Sequence, residues 1–509
     1  MKLCLRLFAI LLFIFSSATY SNGQTNFAVR GFHIDLRIQV MKMPALKALV
    51  KQLSDNGINT LLMEWEGSYP FLEAPVIPNR YAYTRAEIAG FIAYCKSLHV
   101  DVIPLQQSFG HVEYILRNYQ YAALREDPRD LSQVCPSQVE LNRALFTKLF
   151  KDLAATHASP FIHIGCDETH LLGHCALCRQ RADSMGVSKL YFDHVKMLCD
   201  IVVSLGKRPV LWADIALKYP QYLQQLPKQT VLIDWNYGWP LDHFGDHTAL
   251  LKSGYEVWGA PALRSEPDNY CLTRWQHHFN NISTFIPSCR QLGYQGIIMT
   301  SWSTSGEYDA RFDANGELKD LYAVRHVYPL SGFNLLINAY LQATKQQEAL
   351  NIDDFFTHYC HEQYGLNKQA AVQLYEALYK ASYAVTNGKV LSPMPMTVQQ
   401  LLDSARQSAG ILHALKPTRH VEEFEHYRLM ADIRVYYLRY INIEAALNAG
   451  TATTAYAAQL KALMATEPAL NKTFERLNGA VLYPSEIEEE NTIRCYRTHQ
   501  LYERLIHKK

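Results

Sequence analysis

Neither sign of charge prevails in this chain: 49 Lys and Arg face 48 Asp and Glu, a formal net charge of +1. The field that would gather nucleic acid or an anionic membrane is therefore missing, and no basic stripe or long charge run supplies one locally. Long uncharged apolar runs are also missing beyond the first residues, so the body of the chain offers no membrane-spanning helix. There is no low-complexity linker. Cysteine is sparse, 11 in 509 residues, and scattered, which excludes a disulfide scaffold. Most of these thiols, Cys95, Cys199 and Cys360 among them, fall in helix-like patterns as small buried hydrophobes.

The apolar run that does exist stands at the start. Lys2 and Arg6 flank or precede an apolar stretch, residues 7–15, too short to cross a bilayer. Ser21, Asn22 and Gly23 then fit a small-x-small cleavage site. Residues 1–23 read as a secretory signal, with the mature chain beginning near Gln24. The protein is expected to be exported, periplasmic or extracellular, with no membrane attachment after cleavage. Cys4 lies before the apolar run and is not placed for lipidation. The remainder, 49% hydrophobic and 12% aromatic overall, describes a well-cored globular protein.

Between residues 32 and 302 eight short β-like runs alternate with amphipathic helical segments. The runs are 32–38, 60–65, 101–106, 161–165, 208–214, 230–235, 255–261 and 296–302. Helical patterns occupy 44–56, 84–99, 137–156 and 188–205, the second opened by a capping box of Thr84 and Glu87. Eightfold alternation predicts an α/β fold of the (β/α)8 TIM-barrel type over residues 24–344. The connection 107–136, with Phe109, Gly110 and His111, is too long for a structural turn. From about 345 to 509 the pattern becomes helical throughout, with stretches at 367–386, 398–415, 455–477 and 485–507. One further helix keeps Phe424, Tyr427, Ala431, Val435 and Leu438 on one face and stops at Gly450. This predicts an all-α C-terminal domain with no recognisable chemistry of its own.

Chemistry gathers at the strand exits. The fourth run, Phe161 to Gly165, breaks directly into Asp167 and Glu168. A strand that ends on paired carboxylates is costly to bury unpaired, yet suits the mouth of a parallel barrel, where catalytic groups sit. The other exits carry Asp35 and Arg37; Glu64, Trp65 and Glu66; Gln106 and Gln107; Trp212 and Asp214; Trp235, Asn236 and Tyr237; Trp258; and Trp302. Five of the seven tryptophans thus cluster at one face, the composition of a pocket whose indoles stack on pyranose C–H faces.

The segment His163-Ile164-Gly165-Cys166-Asp167-Glu168 resembles the His-x-Gly-x-Asp-Glu motif of glycoside hydrolase family 20, the β-N-acetylhexosaminidases, and most closely the hexosaminidase D branch, where a Leu-Gly follows as Leu172-Gly173 does here. Supporting matches, in order, are Arg30 to Arg37, residues 59–70, Phe109-Gly110-His111, Val134-Cys135-Pro136 and Met299 to Trp302. The resemblance covers roughly residues 29–340. One departure is Glu64-Trp65-Glu66-Gly67, where a Glu-Asp pair after an aromatic is the family's pattern.

The resemblance implies removal of terminal β-linked N-acetylhexosamine, with Glu168 as acid and then base and Asp167 as the ionised partner of the substrate's acetamido group. The sugar-facing set would be Arg37, Asp35, His111, Trp212, Trp235, Tyr237, Trp258 and Trp302. His163, and in part His111, would support the carboxylates. The two carboxyl pKa values are expected to be pushed apart, Glu168 upward and Asp167 downward. The seventh run ends in Val257 to Pro261 with no carboxylate; Glu256 precedes it and Glu266 lies past it. A missing second carboxylate favours attack by the substrate's own acetamido oxygen. Two readings stay open beside this one: a retaining glycosidase with a protein nucleophile, Glu66 or Glu307 first, and a catalytically silent carbohydrate-binding barrel. No cofactor or metal is expected in the chemistry. Cys175-Ala176-Leu177-Cys178 could be a zinc ligand pair, a disulfide or free thiols, and takes no catalytic role.

Overall fold

Eight parallel strands form one after another and close on themselves in the computed structural model, which describes residues 27–265, 268, 272–303, 329–451 and 455–507. The expected leader, residues 1–23, lies outside the described residues. The strands are β1 (Val29–Asp35), β2 (Thr60–Glu64), β3 (Asp101–Leu105), β4 (Phe161–His163), β5 (Arg208–Trp212), β6 (Val231–Trp235), β7 (Glu256–Ala260) and β9 (Gly296–Ser301). A three-residue β8 (Ala262–Arg264) lies along β9. Each strand pairs with the next, and β9 returns to β1 with Gly296 opposite Val29. Closure leaves no barrel edge open. The interior is filled by Leu62, Ile103, Val210, Val231, Ile233, Trp258 and Ile298, all fully buried.

Around the barrel run α1 (Met43–Asp55), α2 (Arg85–Ser97), α3 (Val139–Thr156), α4 (Ala176–Met185), α5 (Val187–Ser204), α6 (Trp275–Gln291) and α7 (Asn334–Lys345). The capping box forms as read: Thr84 accepts from the Glu87 N–H and Glu87 reaches back to the Thr84 backbone. Helix α7 seals the barrel seam, its Tyr340 hydroxyl donating to the Gly31 carbonyl at 2.6 Å.

β1 begins and ends three residues earlier than the apolar alternation predicts. Leu36 N–H still donates to the Glu64 carbonyl of β2 at 3.0 Å, while Ile38 and Val40 continue the buried pattern beyond the ladder. Val40 N–H donates to Glu486 at 2.7 Å and Lys42 N–H to the Val481 carbonyl at 2.7 Å.

The C-terminal region holds α8 (Ile352–Tyr364), α9 (Lys368–Tyr379), α10 (Val398–Ala414), α11 (Val421–Asn448), α12 (Ala455–Met464), α13 (Glu467–Asn478) and α14 (Pro484–Ile506). The stretch expected as one helix over 455–477 is two, because Pro468 in the first turn of α13 starts a new helix. The helix expected over 367–386 stops at Tyr379. Beyond it a small hairpin, β10 (Val385–Thr386) with β11 (Lys389–Val390), turns at Asn387 and Gly388, both at positive φ.

Candidate active site

The exits of β1 and β2 form one charged knot. Glu64 receives Arg37 Nη2 at 3.2 Å and Gln107 Nε2 at 2.9 Å on one oxygen, and His33 Nε2 at 3.0 Å on the other. Ser301 N–H donates to His33 Nδ1 at 3.3 Å, which leaves Nε2 as the ring nitrogen that donates to Glu64. Burial opposes the Glu64 charge, but Arg37, His33 and Gln107 override it and hold its pKa below the usual carboxylate range. Arg37 Nε lies 3.3 Å from Glu66. Burial pushes Glu66 upward by more than Arg37 recovers, and Asp35 shifts the same way. Three carboxyl groups share one guanidinium here, so the knot is stable with Glu64 ionised and the others drawn towards neutrality.

Across the mouth, two long loops bring the motif carboxylates to a histidine. His111 Nε2 lies 3.5 Å from Asp167 Oδ2 and 3.3 Å from Glu168 Oε2. Burial would lower the His111 pKa, but its attraction to Asp167 and its bonds to both carboxylates raise it well above 6.5. The hydrogen bond from His111 in turn holds Glu168 below its ordinary value. This corrects the expectation of an elevated Glu168 in the open site: its side chain is 43% exposed, so burial is too weak to win. The loops touch through backbone. A Cβ on Gly110 would come 2.6 Å from the Asp167 carbonyl, and one on Gly165 (φ +70°) 2.0 Å from Gln107 Oε1. Beneath them Asp214 accepts the Glu168 N–H at 3.4 Å and the Trp235 indole N–H at 3.5 Å. Burial, helped by nearby Asp167, pushes Asp214 up to about 7.

Aromatic rings wall the remaining side. Trp212 and Trp302 meet at 5.5 Å, Trp302 packs on His33 at 4.5 Å, and the Trp302 indole N–H donates to the Tyr237 hydroxyl at 2.5 Å. Trp235 lies 5.1 Å from Tyr237 and 5.4 Å from Trp239. Asp167 Oδ1 and Trp212 Nε1 are buried with no hydrogen-bond partner among the described residues. A polar pocket edge under an aromatic wall, beside a reachable carboxylic acid, is built to take a ligand with both polar and apolar faces.

Residues 27–263 match the sequence profile of the glycosyl hydrolase family 20 catalytic domain. By that match the barrel resembles the family 20 glycoside hydrolases. The chain is 27% identical to Hexosaminidase D of Bos taurus over 293 residues, 54% of this chain and 84% of that one. It is 27% identical to Hexosaminidase D of Homo sapiens over 305 residues, 56% of this chain and 62% of that one, so it spans under two thirds of the human protein. A β-N-acetylhexosaminidase structure from Bacteroides fragilis shares the fold at TM-score 0.51 and 18% identity, covering 66% of this chain and 69% of that one.

In this barrel the expected residues separate into two groups. Asp167, Glu168, Arg37, His111, Trp212, Trp235, Tyr237 and Trp302 converge on the mouth. Trp258 does not: it fills the far end of the barrel interior, its indole N–H bonded to Glu256 at 2.9 Å and its ring 5.3 Å from Phe161. Asp35 is corrected too. Its side chain is fully buried, one oxygen accepting the Arg37 N–H at 2.8 Å and the other the Ser303 N–H at 2.7 Å; it ties β1 to β9 and faces no sugar. His163 supports Trp212 instead of the carboxylates, stacking at 4.4 Å and accepting the Gly165 N–H at 3.0 Å; burial lowers its pKa to about 3. Trp65 turns outward, bonding His157 at 3.0 Å and packing on Phe91 of α2. Glu64, Gln107 and Asp214, named at the strand exits but given no role, belong to the mouth, and His33 and Trp239 join them without having been singled out. Glu64, Gln107 and Asp214 stand at strand exits in the sequence, and that position was the available signal.

Proposed function

We propose that this chain is an exo-acting β-N-acetylhexosaminidase whose nucleophile is the substrate's own 2-acetamido oxygen. The observation that carries the reading is the unpartnered, buried Asp167 Oδ1 next to a solvent-accessible Glu168. An acetamido N–H supplies the missing donor, and its oxygen is then turned towards the anomeric carbon. Asp167 stays ionised and stabilises the oxazolinium charge as it develops. Glu168 protonates the leaving oxygen and afterwards deprotonates the attacking water. His111 holds Glu168 ionised in the open site; a bound sugar excludes water from Glu168 and raises its proton affinity when the acid is needed. Arg37, fixed by Glu64 and Glu66, is offered to the hydroxyls of the terminal sugar, and Trp212, Trp235 and Trp302 with Tyr237 enclose the acetamido methyl.

A protein nucleophile finds little support. Glu66 is buried against Arg37 at 3.3 Å, and Glu307 lies outside the described residues. Export through the N-terminal leader belongs to the same proposal; N-terminal sequencing of the mature protein at a residue well before Gln24 would count against it. The catalytic reading is tested by comparing β-glucoside with β-N-acetylglucosaminide. Losing the acetamido group deletes an intramolecular nucleophile with an effective molarity on the order of 10⁵–10⁸ M, so the glucoside should be nearly inert. A thiazoline mimic of the oxazoline should bind far more tightly than substrate. Comparable kcat/KM on both glycosides with weak thiazoline inhibition would overturn the scheme.

A further inference from the structure

Behind the catalytic loops lies a cluster that the chemistry above does not use. The loop after β3 contributes Glu126 and Cys135, the end of the loop after β4 contributes Cys175, and the first turn of α4 contributes Cys178. Cys135 Sγ lies 3.5 Å from both Cys175 Sγ and Cys178 Sγ, and Glu126 Oε2 is 3.2 Å from Cys178 Sγ. All four donor atoms fall within 4.8 Å of one another. Cys135, Cys178 and Glu126 are buried, at 2%, 0% and 1% exposure.

We propose that Glu126, Cys135, Cys175 and Cys178 bind one zinc ion that fastens the two catalytic loops to each other. The geometry is that of a closed tetrahedral site. With Zn–S near ~2.3 Å, tetrahedral sulfurs stand about 3.8 Å apart, close to the two separations observed and far from a disulfide bond of about 2.05 Å. A disulfide would use only two of the three clustered sulfurs and would not engage the Glu126 Oε2 that lies 3.2 Å from Cys178 Sγ. The surroundings suit bound thiolates. Cys175 caps the ten-residue α4, whose N-terminus favours negative charge, and accepts the Cys178 N–H at 3.3 Å. Cys175 N–H donates to Glu126 Oε1 at 2.8 Å, which aims Oε2 at the sulfurs. Three soft sulfurs and one carboxylate select zinc over magnesium or calcium. Four protein ligands leave no open position, so the ion is structural. On binding, the three thiols release their protons to solvent.

The site works on function through position. Its first loop carries His111 and its second carries Asp167 and Glu168. Polar ties between those loops include Leu171 N–H to Gln133 at 2.9 Å and His174 to Asp127 at 3.1 Å. The zinc would add a bond that neither salt nor water loosens.

The test uses the full chain, produced with zinc chloride and a phosphine reductant, and elemental analysis of the purified protein. About one zinc per chain is expected, falling below about one tenth in Cys135→Ser. A strong chelator should lower the thermal midpoint of the wild-type protein, and zinc should restore it. Cobalt exchange into the wild-type chain, which needs no variant to fold, should give a thiolate-to-cobalt charge-transfer band. Absence of metal after zinc reconstitution, a metal content unaltered in Cys135→Ser, a cobalt spectrum without thiolate character, or a disulfide between any two of the three cysteines in the exported protein would each overturn the proposal. None of these readouts depends on which glycoside the enzyme cleaves.

Discussion

The roles proposed for Glu168 and His111 can each be tested without touching the fold. Glu168→Gln keeps the shape and removes the transferable proton. General acid catalysis contributes typically ~10²–10⁴-fold, so natural glycosides should lose about that much in kcat/KM. Aryl glycosides with good leaving groups, which need little protonation, should lose far less; equal losses would take the acid role from Glu168. His111 makes a separate prediction about pH. Its bond favours the ionised form of Glu168, so His111→Asn should raise the Glu168 pKa and keep the protonated acid to higher pH. The alkaline limb of the kcat/KM profile should therefore move upward, and an unmoved limb would show that His111 does not tune Glu168. Because the folded-state pKa of His111 is raised above 6.5, its charged contacts contribute to stability in full below that value. The contribution fades as pH rises through the folded value, so wild type and His111→Asn should converge in thermal midpoint on the alkaline side. Backbone conformation points to the same residues. Glu66, His111, Cys166 and Glu168 all adopt positive φ, at a cost on the order of 1–3 kcal/mol each, and all four stand at the barrel mouth.

At the scale of elements, the strand–loop junctions decide which side chains reach the mouth. The loop bearing His111 rests on the loop bearing Glu168 at Gly110, where a Cβ would meet the Asp167 carbonyl at 2.6 Å. Gly110→Ala must push the two backbones apart, and a misplacement of about 1 Å can cost ~10²-fold in rate. A large fall in kcat with little change in KM is expected. A variant with unaltered kcat would show that the loops adjust freely. The strands themselves were legible in the sequence because short apolar runs between amphipathic helices have few other solutions. Individual tryptophans were less so. Trp212 and Trp235 are the last residues of β5 and β6 and reach the mouth. Trp258 is third of five in β7 and is enclosed within the barrel, while Trp65, past the end of β2, faces α2. Position along a strand and the face of the pleat separate these cases, and a boundary read from composition is too coarse for either. The Asp167–Glu168 pair could be read because it is local. The hold of Asp214 on the Glu168 backbone spans 46 residues, and the meeting of Cys135 with Cys175 spans 40; the parallel pairing of neighbouring strands brings such partners together. The turn at Asn387-Gly388 was a readable hairpin signal lost inside a helical pattern.

In the whole molecule, the C-terminal helices have no evident chemistry, yet they grip the segment that carries Arg37. Residues 36–42 leave β1 and run beneath the start of α14. Glu486, fully buried, accepts Val40 N–H on Oε1 at 2.7 Å and Tyr483 N–H on Oε2 at 3.1 Å. Lys42 reaches the Gly479 carbonyl at 2.6 Å, and Met41 pairs with Leu482 in an antiparallel bridge. This one glutamate thus caps a C-terminal helix and anchors a barrel loop. Glu486→Ala would strand the buried Val40 N–H, costing about 1–3 kcal/mol, remove the cap on the half-buried Tyr483 N–H, and free the loop that aims Arg37. The thermal midpoint should fall by several degrees, and KM should rise more than kcat falls, because the role proposed for Arg37 is in binding and the Asp167–Glu168 pair stands on the separate loop after β4. Glu486→Gln keeps one acceptor and should recover part of both losses. If Glu486→Ala lowers kcat while leaving KM unchanged, the C-terminal helices do not act through the Arg37 loop. If neither quantity nor the midpoint changes, the clamp contributes nothing to the folded enzyme.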